Sequence, residues 1–566
     1  MNLSIPPRSK VLFSRSLVLI LTAAIVASLL LLPNKKALAS GGVKENPVVV
    51  YDAPQTLSYK EIISIDSPAG VSAALKPKLD ALMVTPFISN VSHVGDSVGE
   101  PPARELPARE LPAPELQRSD KLGEFIRVGF WNIERGLRLD EIKMAIENPD
   151  QFKQQIEASP GSDKYRETIE QIDVLRSVDV LALNEVDLGL KRTGYRDVAK
   201  ELAAALKMNY VYGVEFIEID PLNLGSETFN EISPGEAKIA LRRLMDVDRE
   251  RYQGLHGNAI LSRFPIKQAR LVPLKCQPYD WLVHEKRRIS VAETARRQLT
   301  KMAFLQNTQR EIRYGGRAVL IAELEVPQLD GGKLTVVATH LENRCKPSER
   351  RRQMQEVLSL IKEIDGPVVM AGDMNTTGNS LRPTTISNEL SKRLSDVNFW
   401  TSQVIKAFTP FGLAFDFTFA AALFARTASD PTAGGIFLLA PNREADLFRD
   451  IERFRFRDGF AFDFRGDPER TINKTEGTLA NSNQRARKKG FISTYAMKRT
   501  YWAVGKNKLD WIFVKAYAKD PKSRSEPYRL APHFARTLEK LNYGLGYRIS
   551  DHNPITVDLP LGEPRL

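Results

Sequence analysis

The residues of this chain best suited to chemistry sit in short polar motifs scattered between Asn132 and His552. In chain order they are Trp131-Asn132-Ile133-Glu134, Asn184-Glu185, Gly257-Asn258 running on to Arg263, Thr339-His340-Leu341, Gly372-Asp373-Met374-Asn375, Leu509-Asp510-Trp511 and Ser550-Asp551-His552-Asn553-Pro554. Carboxylates, carboxamides and two histidines are a donor set suited to splitting a phosphate ester. That reaction needs a metal to offset phosphate charge, a base to activate water, donors for the charged transition state and in-line geometry. Carboxylate oxygens suit Mg²⁺, which keeps several of its waters and takes only one or two protein carboxylates. Taken singly, each motif has a plainer reading. Asn132 could cap a turn, and Gly372-Asp373 or Asp551-His552 before a proline could be turn chemistry. Glu185 could be a solvated carboxylate, and each histidine a hydrogen-bonded core residue.

The order of the motifs outweighs those single readings. WNI, NE, GNAILSR, THL, GDMN, LDWIF and SDHNP resemble the strand-end motifs of the endonuclease/exonuclease/phosphatase superfamily, in that superfamily's order. Its branches include deoxyribonuclease I-like nucleases, abasic-site endonucleases, neutral sphingomyelinases and inositol polyphosphate 5-phosphatases. The resemblance covers Phe125 to Leu559. It implies two packed mixed β-sheets flanked by helices, a four-layer α/β sandwich. It implies Glu185 as the principal metal carboxylate, supported by Glu134 and Asp551, with Mg²⁺ or Mn²⁺ as the cofactor. His552 is then the general base, or the imidazolium that contacts the phosphate, with Asp510 fixing its tautomer. Asp373 and Asn375 would orient water and donate to a phosphate oxygen. His340 resembles the second histidine of the deoxyribonuclease I, sphingomyelinase and 5-phosphatase branches and would donate to a non-bridging or leaving oxygen. Asn132 and Asn258 would contact substrate. The implied reaction is a single in-line attack by water, since no marked nucleophilic Ser or Cys is in evidence.

The elements that must hold these residues are strands alternating with amphipathic stretches, a mixed α/β pattern. Strands are expected at Phe125–Trp131, Asp179–Asn184, Asn258–Ser262, Ala318–Val326, Lys333–Thr339, Pro367–Ala371, Leu509–Val514 and Ile555–Leu559. Helices are expected at Lys164–Arg176, Arg196–Leu206 and Ser348–Ile364. Each polar motif then falls at a strand end or just beyond it, where loops carry function on a rigid sheet.

Outside this domain, taken as 121–562, the chain reads differently. Residues 1–39 carry Arg8, Lys10 and Arg15, an apolar run from Leu17 to Leu32 and a small-residue cleavage pattern at Ala37-Leu38-Ala39. That is the layout of a secretory signal peptide, with a signal anchor as the alternative. Export to the periplasm or the outside, or anchoring to a membrane, is therefore expected. Residues 40–120 are expected to be a poorly ordered spacer, because the prolines of the repeat from Pro102 to Leu116 forbid a regular helix. Two insertions are expected, at about 220–255 and 377–505, the second with a Phe-rich part and a basic run from Arg485 to Lys489. Cys276 and Cys345, the only two cysteines, are expected to pair once outside the cytosol. The formal net charge of +12 favours anionic partners: nucleic acid, or a phospholipid or small phosphorylated molecule. No protein partner is inferred.

Overall fold

A computed structural model of the chain describes residues 54–65, 71–90, 115–219, 247–286, 311–376, 444–464, 470, 493–501, 504–517 and 528–563. The N-terminal segment 1–39, most of the proline repeat, the body of each insertion and the basic run at Arg485 lie outside the described residues. Among the described residues no helix is long and apolar enough to cross a membrane.

The described strands run in chain order as β1 (Phe87–Ser89), β2 (Gln117–Ser119), β3 (Gly123–Arg135), β4 (Val180–Leu188), β5 (Asn209–Glu218) and β6 (Leu255–Ser262). There follow β7 (Ile266–Pro273), β8 (Arg313–Gly315), β9 (Ala318–Glu325), β10 (Lys333–His340) and β11 (Val368–Asp373). The last are β12 (Tyr495–Tyr501), β13 (Val504–Asn507), β14 (Asp510–Lys515), β15 (His533–Thr537) and β16 (Ile555–Pro560). They form a larger sheet ordered β1-β5-β6-β4-β3-β16-β15, with β2 on β3 and β8 on β5. A smaller sheet runs β14-β11-β10-β9-β7, and β12 and β13 form a ribbon.

Alternation along the strands builds the layers. On β3, Ile126, Val128 and Phe130 face the small sheet, where they meet Leu320, Val336 and Ala371 in one core. Their neighbours Trp131 and Ile133 face the other way, onto the helices. On β14, Ile512 and Val514 point to the same inter-sheet core, while Trp511 and Phe513 pack under Met354, Val357, Phe448 and Ile451 from helices. The result is helix, sheet, sheet, helix, as expected from the motifs. The helices carry ordinary start signals. The Ser162 hydroxyl accepts from Tyr165 N at 3.2 Å ahead of Asp163–Arg176, and Asp197 caps Val198–Leu206 through Lys200 N at 3.0 Å.

Two expectations are corrected. Part of the expected spacer folds onto the domain: helix Leu75–Val84 buries Leu75, Leu79 and Leu82, and β1 pairs antiparallel with β5. The leucines recur at helical spacing, and Pro77 sits in the first turn, where a missing N–H costs nothing. Cys276 and Cys345 are free, buried thiols. Each approaches a different main-chain carbonyl, that of Glu349 for Cys276 and that of Glu342 for Cys345.

Candidate active site

Two parallel strand pairs gather the polar motifs. In the larger sheet Asn132 on β3 stands opposite Asn184 on β4. In the smaller sheet His340, Asp373 and Asp510 form one row across β10, β11 and β14. The approach of β11 to β10 depends on Gly372, since a Cβ there would lie 1.9 Å from the Thr339 carbonyl oxygen. Asn184 joins the two sheets: its Oδ1 accepts from Asp373 N at 2.9 Å. The last motif is pinned from outside. Trp131 Nε1 donates to the His552 carbonyl at 2.9 Å, and the Ser550 hydroxyl donates to the Asn132 carbonyl at 2.7 Å.

Asp373 Oδ2 is the point of convergence. Asn132 Nδ2 lies 3.3 Å from it, His552 Nε2 3.6 Å and His340 Nε2 3.7 Å. Asn132 Nδ2 also reaches Glu185 Oε1 at 3.1 Å, so the amide links the two carboxylates. Asn375 is fixed by its N–H to Asp373 Oδ1 at 2.8 Å and its Nδ2 to the Leu341 carbonyl at 2.9 Å. His552 Nδ1 donates to Asp510, 2.8 Å and 3.0 Å from its two oxygens, with the Tyr495 ring packed 5.0 Å away. Asp551 N donates to Glu134 Oε2 at 3.1 Å, and the Asp551 carboxylate is half-buried.

The backbone is bent to present these groups. Glu134, Glu185 and Asn375 hold φ of 47°, 52° and 45°, a left-handed region that side chains other than glycine rarely adopt. Glu134 and Glu185 lie at irregularities where β3 and β4 lose register after Asn132 and Leu183. Bulges of this kind re-aim side chains beside functional sites.

The charges are strongly perturbed. Burial alone would lower the His552 pKa, but Asp510 and Asp373 outweigh it and hold the ring up at about 10. Burial and the charge of Asp551 push Glu134 up to about 7. Burial would raise Glu185, yet Arg135 and the neighbouring histidines hold it well below the usual range. Burial and Arg317 keep His340 well below the ordinary histidine range. Asp373, Asp510 and His552 offer ligand atoms within 4.8 Å of one another, which by distance alone could suit a cation. His552 Nδ1 is already committed to Asp510, so this trio is better suited to proton handling. The carboxylates of Glu134, Glu185 and Asp551 are those the motif resemblance assigns to a metal, and Asp551 and Glu185 both oppose ionisation of Glu134, an excess of negative charge that a divalent cation would offset.

Of the residues expected here, Asn132, Glu134, Glu185, His340, Asp373, Asn375, Asp510, Asp551 and His552 come together. Asn258 is fully buried and reaches the group through Asn184, whose Nδ2 donates to its Oδ1 at 2.7 Å. The motifs did not single out Asn184, Arg135, Glu215 or Arg317. Asn184 stood inside a quoted motif, whereas Glu215 and Arg317 lie on β5 and just before β9 with no local signal.

A model of the Endonuclease/Exonuclease/phosphatase family matches residues 129–552. No curated protein matches the sequence. Among solved structures, an endonuclease/exonuclease/phosphatase from Beutenbergia cavernae is 16% identical with a TM-score of 0.33, over 77% of this chain and 72% of its own. The human Nocturnin catalytic domain is 13% identical with a TM-score of 0.32, over 77% and 94%. The 3' phosphatase NExo from Neisseria, bound to product DNA hairpin, is 12% identical with a TM-score of 0.33, over 77% and 99%.

Proposed function

This chain belongs to the endonuclease/exonuclease/phosphatase family, and on that premise we propose that it is a divalent-metal-dependent phosphodiesterase that acts on nucleic acid by in-line attack of water. The observation that carries the reading is the convergence of Asn132 Nδ2, His340 Nε2 and His552 Nε2 on one oxygen of Asp373. A carboxylate oxygen that faces three nitrogen groups across a small gap marks where an attacking water and a phosphate oxygen would share donors and an acceptor.

Glu185, with Glu134 and Asp551 beside it, would hold Mg²⁺ or Mn²⁺. When bound, that ion supplies charge neutralisation at the phosphate and a lower pKa for water. Asp373 accepts the proton of the attacking water, and Asn375 holds Asp373 in place through its N–H. His552, charged because Asp510 and Asp373 favour its imidazolium, binds a non-bridging oxygen. The leaving oxygen takes the His552 Nε2 proton as the ester P–O bond breaks, and the proton held on Asp373 restores the imidazolium. His340 Nε2 and Asn132 Nδ2 donate to the remaining oxygens.

The net charge of +12 supports a polyanionic substrate. The apolar run at Leu17–Leu32 with its cleavage pattern supports export. The second reading is a sphingomyelinase-like or inositol-phosphatase-like enzyme, supported by the Phe-rich stretch of the 377–505 insertion.

The deciding experiment offers DNA, RNA, sphingomyelin and inositol phosphates with and without Mg²⁺. Hydrolysis of nucleic acid that disappears on chelation is expected, weakening as salt rises. His552→Ala and Glu185→Ala should each cost on the order of 10³-fold or more in kcat while leaving the folded circular-dichroism spectrum intact. Turnover near the unaltered level in either variant would refute the reading, and turnover of sphingomyelin or inositol phosphates alone would select the second.

A further inference from the structure

The two histidines that face Asp373 are wired in opposite senses. His552 Nδ1 donates to a carboxylate, Asp510. His340 Nδ1 instead meets a guanidinium, Arg317 Nη1, at 2.8 Å. A guanidinium can only donate and keeps its protons in a protein. The Nδ1 of His340 must therefore be the acceptor, and an imidazolium, which carries hydrogen on both nitrogens, does not fit that contact. Glu215 could have accepted from Nδ1 as Asp510 does for His552, but its Oε2 lies 3.8 Å from that nitrogen, beyond a hydrogen bond. Arg317 takes the contact instead and ties off Glu215, Nη1 to Oε2 at 3.1 Å.

Arg317 is itself firmly placed. Its Nε approaches Glu342 Oε2 at 3.3 Å, its main-chain N–H donates to Gln277 Oε1 at 2.9 Å, and its guanidinium lies over the Phe216 ring at 5.2 Å. Arg317, His340, Glu215 and Glu342 are all buried.

We propose that Arg317 is a positioning residue that fixes His340 as the neutral tautomer with its proton on Nε2. His340 then presents a hydrogen-bond donor to a substrate oxygen and neither accepts nor gives up a proton during the reaction. The depressed histidine pKa agrees with this and has the same physical causes, burial and the Arg317 charge. This assignment of roles rests on the phosphoesterase reading, whereas the tautomer itself does not.

The test is nitrogen NMR of the full-length protein labelled with ¹⁵N-histidine, in which protonated and bare ring nitrogens are well separated. The sequence holds six histidines, so His340 is assigned by the resonances lost in His340→Gln. At neutral pH the unaltered protein should show His340 uncharged with the proton on Nε2. In Arg317→Met the proton should move to Nδ1, facing Glu215, and kcat should fall about 10²-fold with KM little changed. Arg317→Lys, which keeps a donor and a charge, should restore the tautomer and part of the rate. An imidazolium or an Nδ1–H tautomer in the unaltered protein overturns the proposal, whether or not Arg317→Met folds, and so does an unmoved proton in a folded Arg317→Met. The spectrum needs no substrate. A protein with His340 in the Nε2–H form that hydrolyses no phosphate ester refutes the proposed function alone, and an active protein with the opposite tautomer refutes the role of Arg317 alone.

Discussion

At the scale of residues, the site combines strain with unbalanced charge. Glu185 holds a positive φ in a strand that would be regular without it. A left-handed non-glycine residue costs of the order of 1–3 kcal/mol. Asparagine tolerates that region better than glutamate. Glu185→Asn is therefore expected to relieve about 1 kcal/mol of backbone strain while giving up the carboxylate charge that Arg135 and the histidines favour, so the denaturant midpoint should move little while hydrolysis is lost. The charges give a second prediction. His552 has a folded pKa of about 10 against an ordinary 6.5. A histidine raised in this way contributes stability that is fully present below the unfolded value and lost as pH rises through the folded one. Stability should thus fall by a few kcal/mol between about pH 6.5 and 10, and His552→Gln should flatten that limb. Glu134, raised to about 7, works in a lower window with the same sign, since its extra proton is lost as pH rises from about 4.5 to 7. Urea unfolding across pH separates the two.

At the scale of elements, the arrangement rests on how closely β10 and β11 run. Their parallel register sets His340 beside Asp373, and the antiparallel register of β11 with β14 sets Asp373 beside Asp510. Gly372 is the residue that permits it. Gly372→Ala puts a methyl carbon 1.9 Å from the Thr339 carbonyl oxygen, a backbone atom that cannot move without breaking the pair. The expected outcome is a loss of several kcal/mol or failure to fold, read from the melting temperature and soluble yield. If a folded protein is recovered, its activity should fall with the register. The sequence pattern located β10, β11 and β14, and half of the described strands in all, because buried β-branched and aliphatic runs end in polar motifs. Among those it missed are β5, whose residues are nearly all buried with no alternation to mark it, and β7, whose apolar residues are interrupted by Lys267, Gln268 and Arg270 and end in no polar motif.

At the scale of the whole molecule, two sheets enclose one core and helices close each outer face. Helix Leu75–Val84 belongs to that closure, since Leu79 and Leu82 are buried in the cluster that holds Trp131 and Leu183. Leu82→Ala should cost about 2–5 kcal/mol, the price of an unfilled core site, seen as a lower urea midpoint with unchanged slope. A true spacer would tolerate the change with no shift.

The sequence by itself determined the chemistry available and its family. The carboxylates, amides and histidines that meet at Asp373 could be named from motif order, because each motif is a local feature of a strand end and survives in one dimension. Tertiary structure alone decided how they are wired. Asn132 and Asp373 are 241 positions apart and meet only because two sheets pack face to face. The strut role of Asn184, the burial of Asn258, the separate fates of the two thiols and the contact of Arg317 with His340 follow from register and sheet packing. Those depend on the summed burial of many side chains, and no single motif carries that sum.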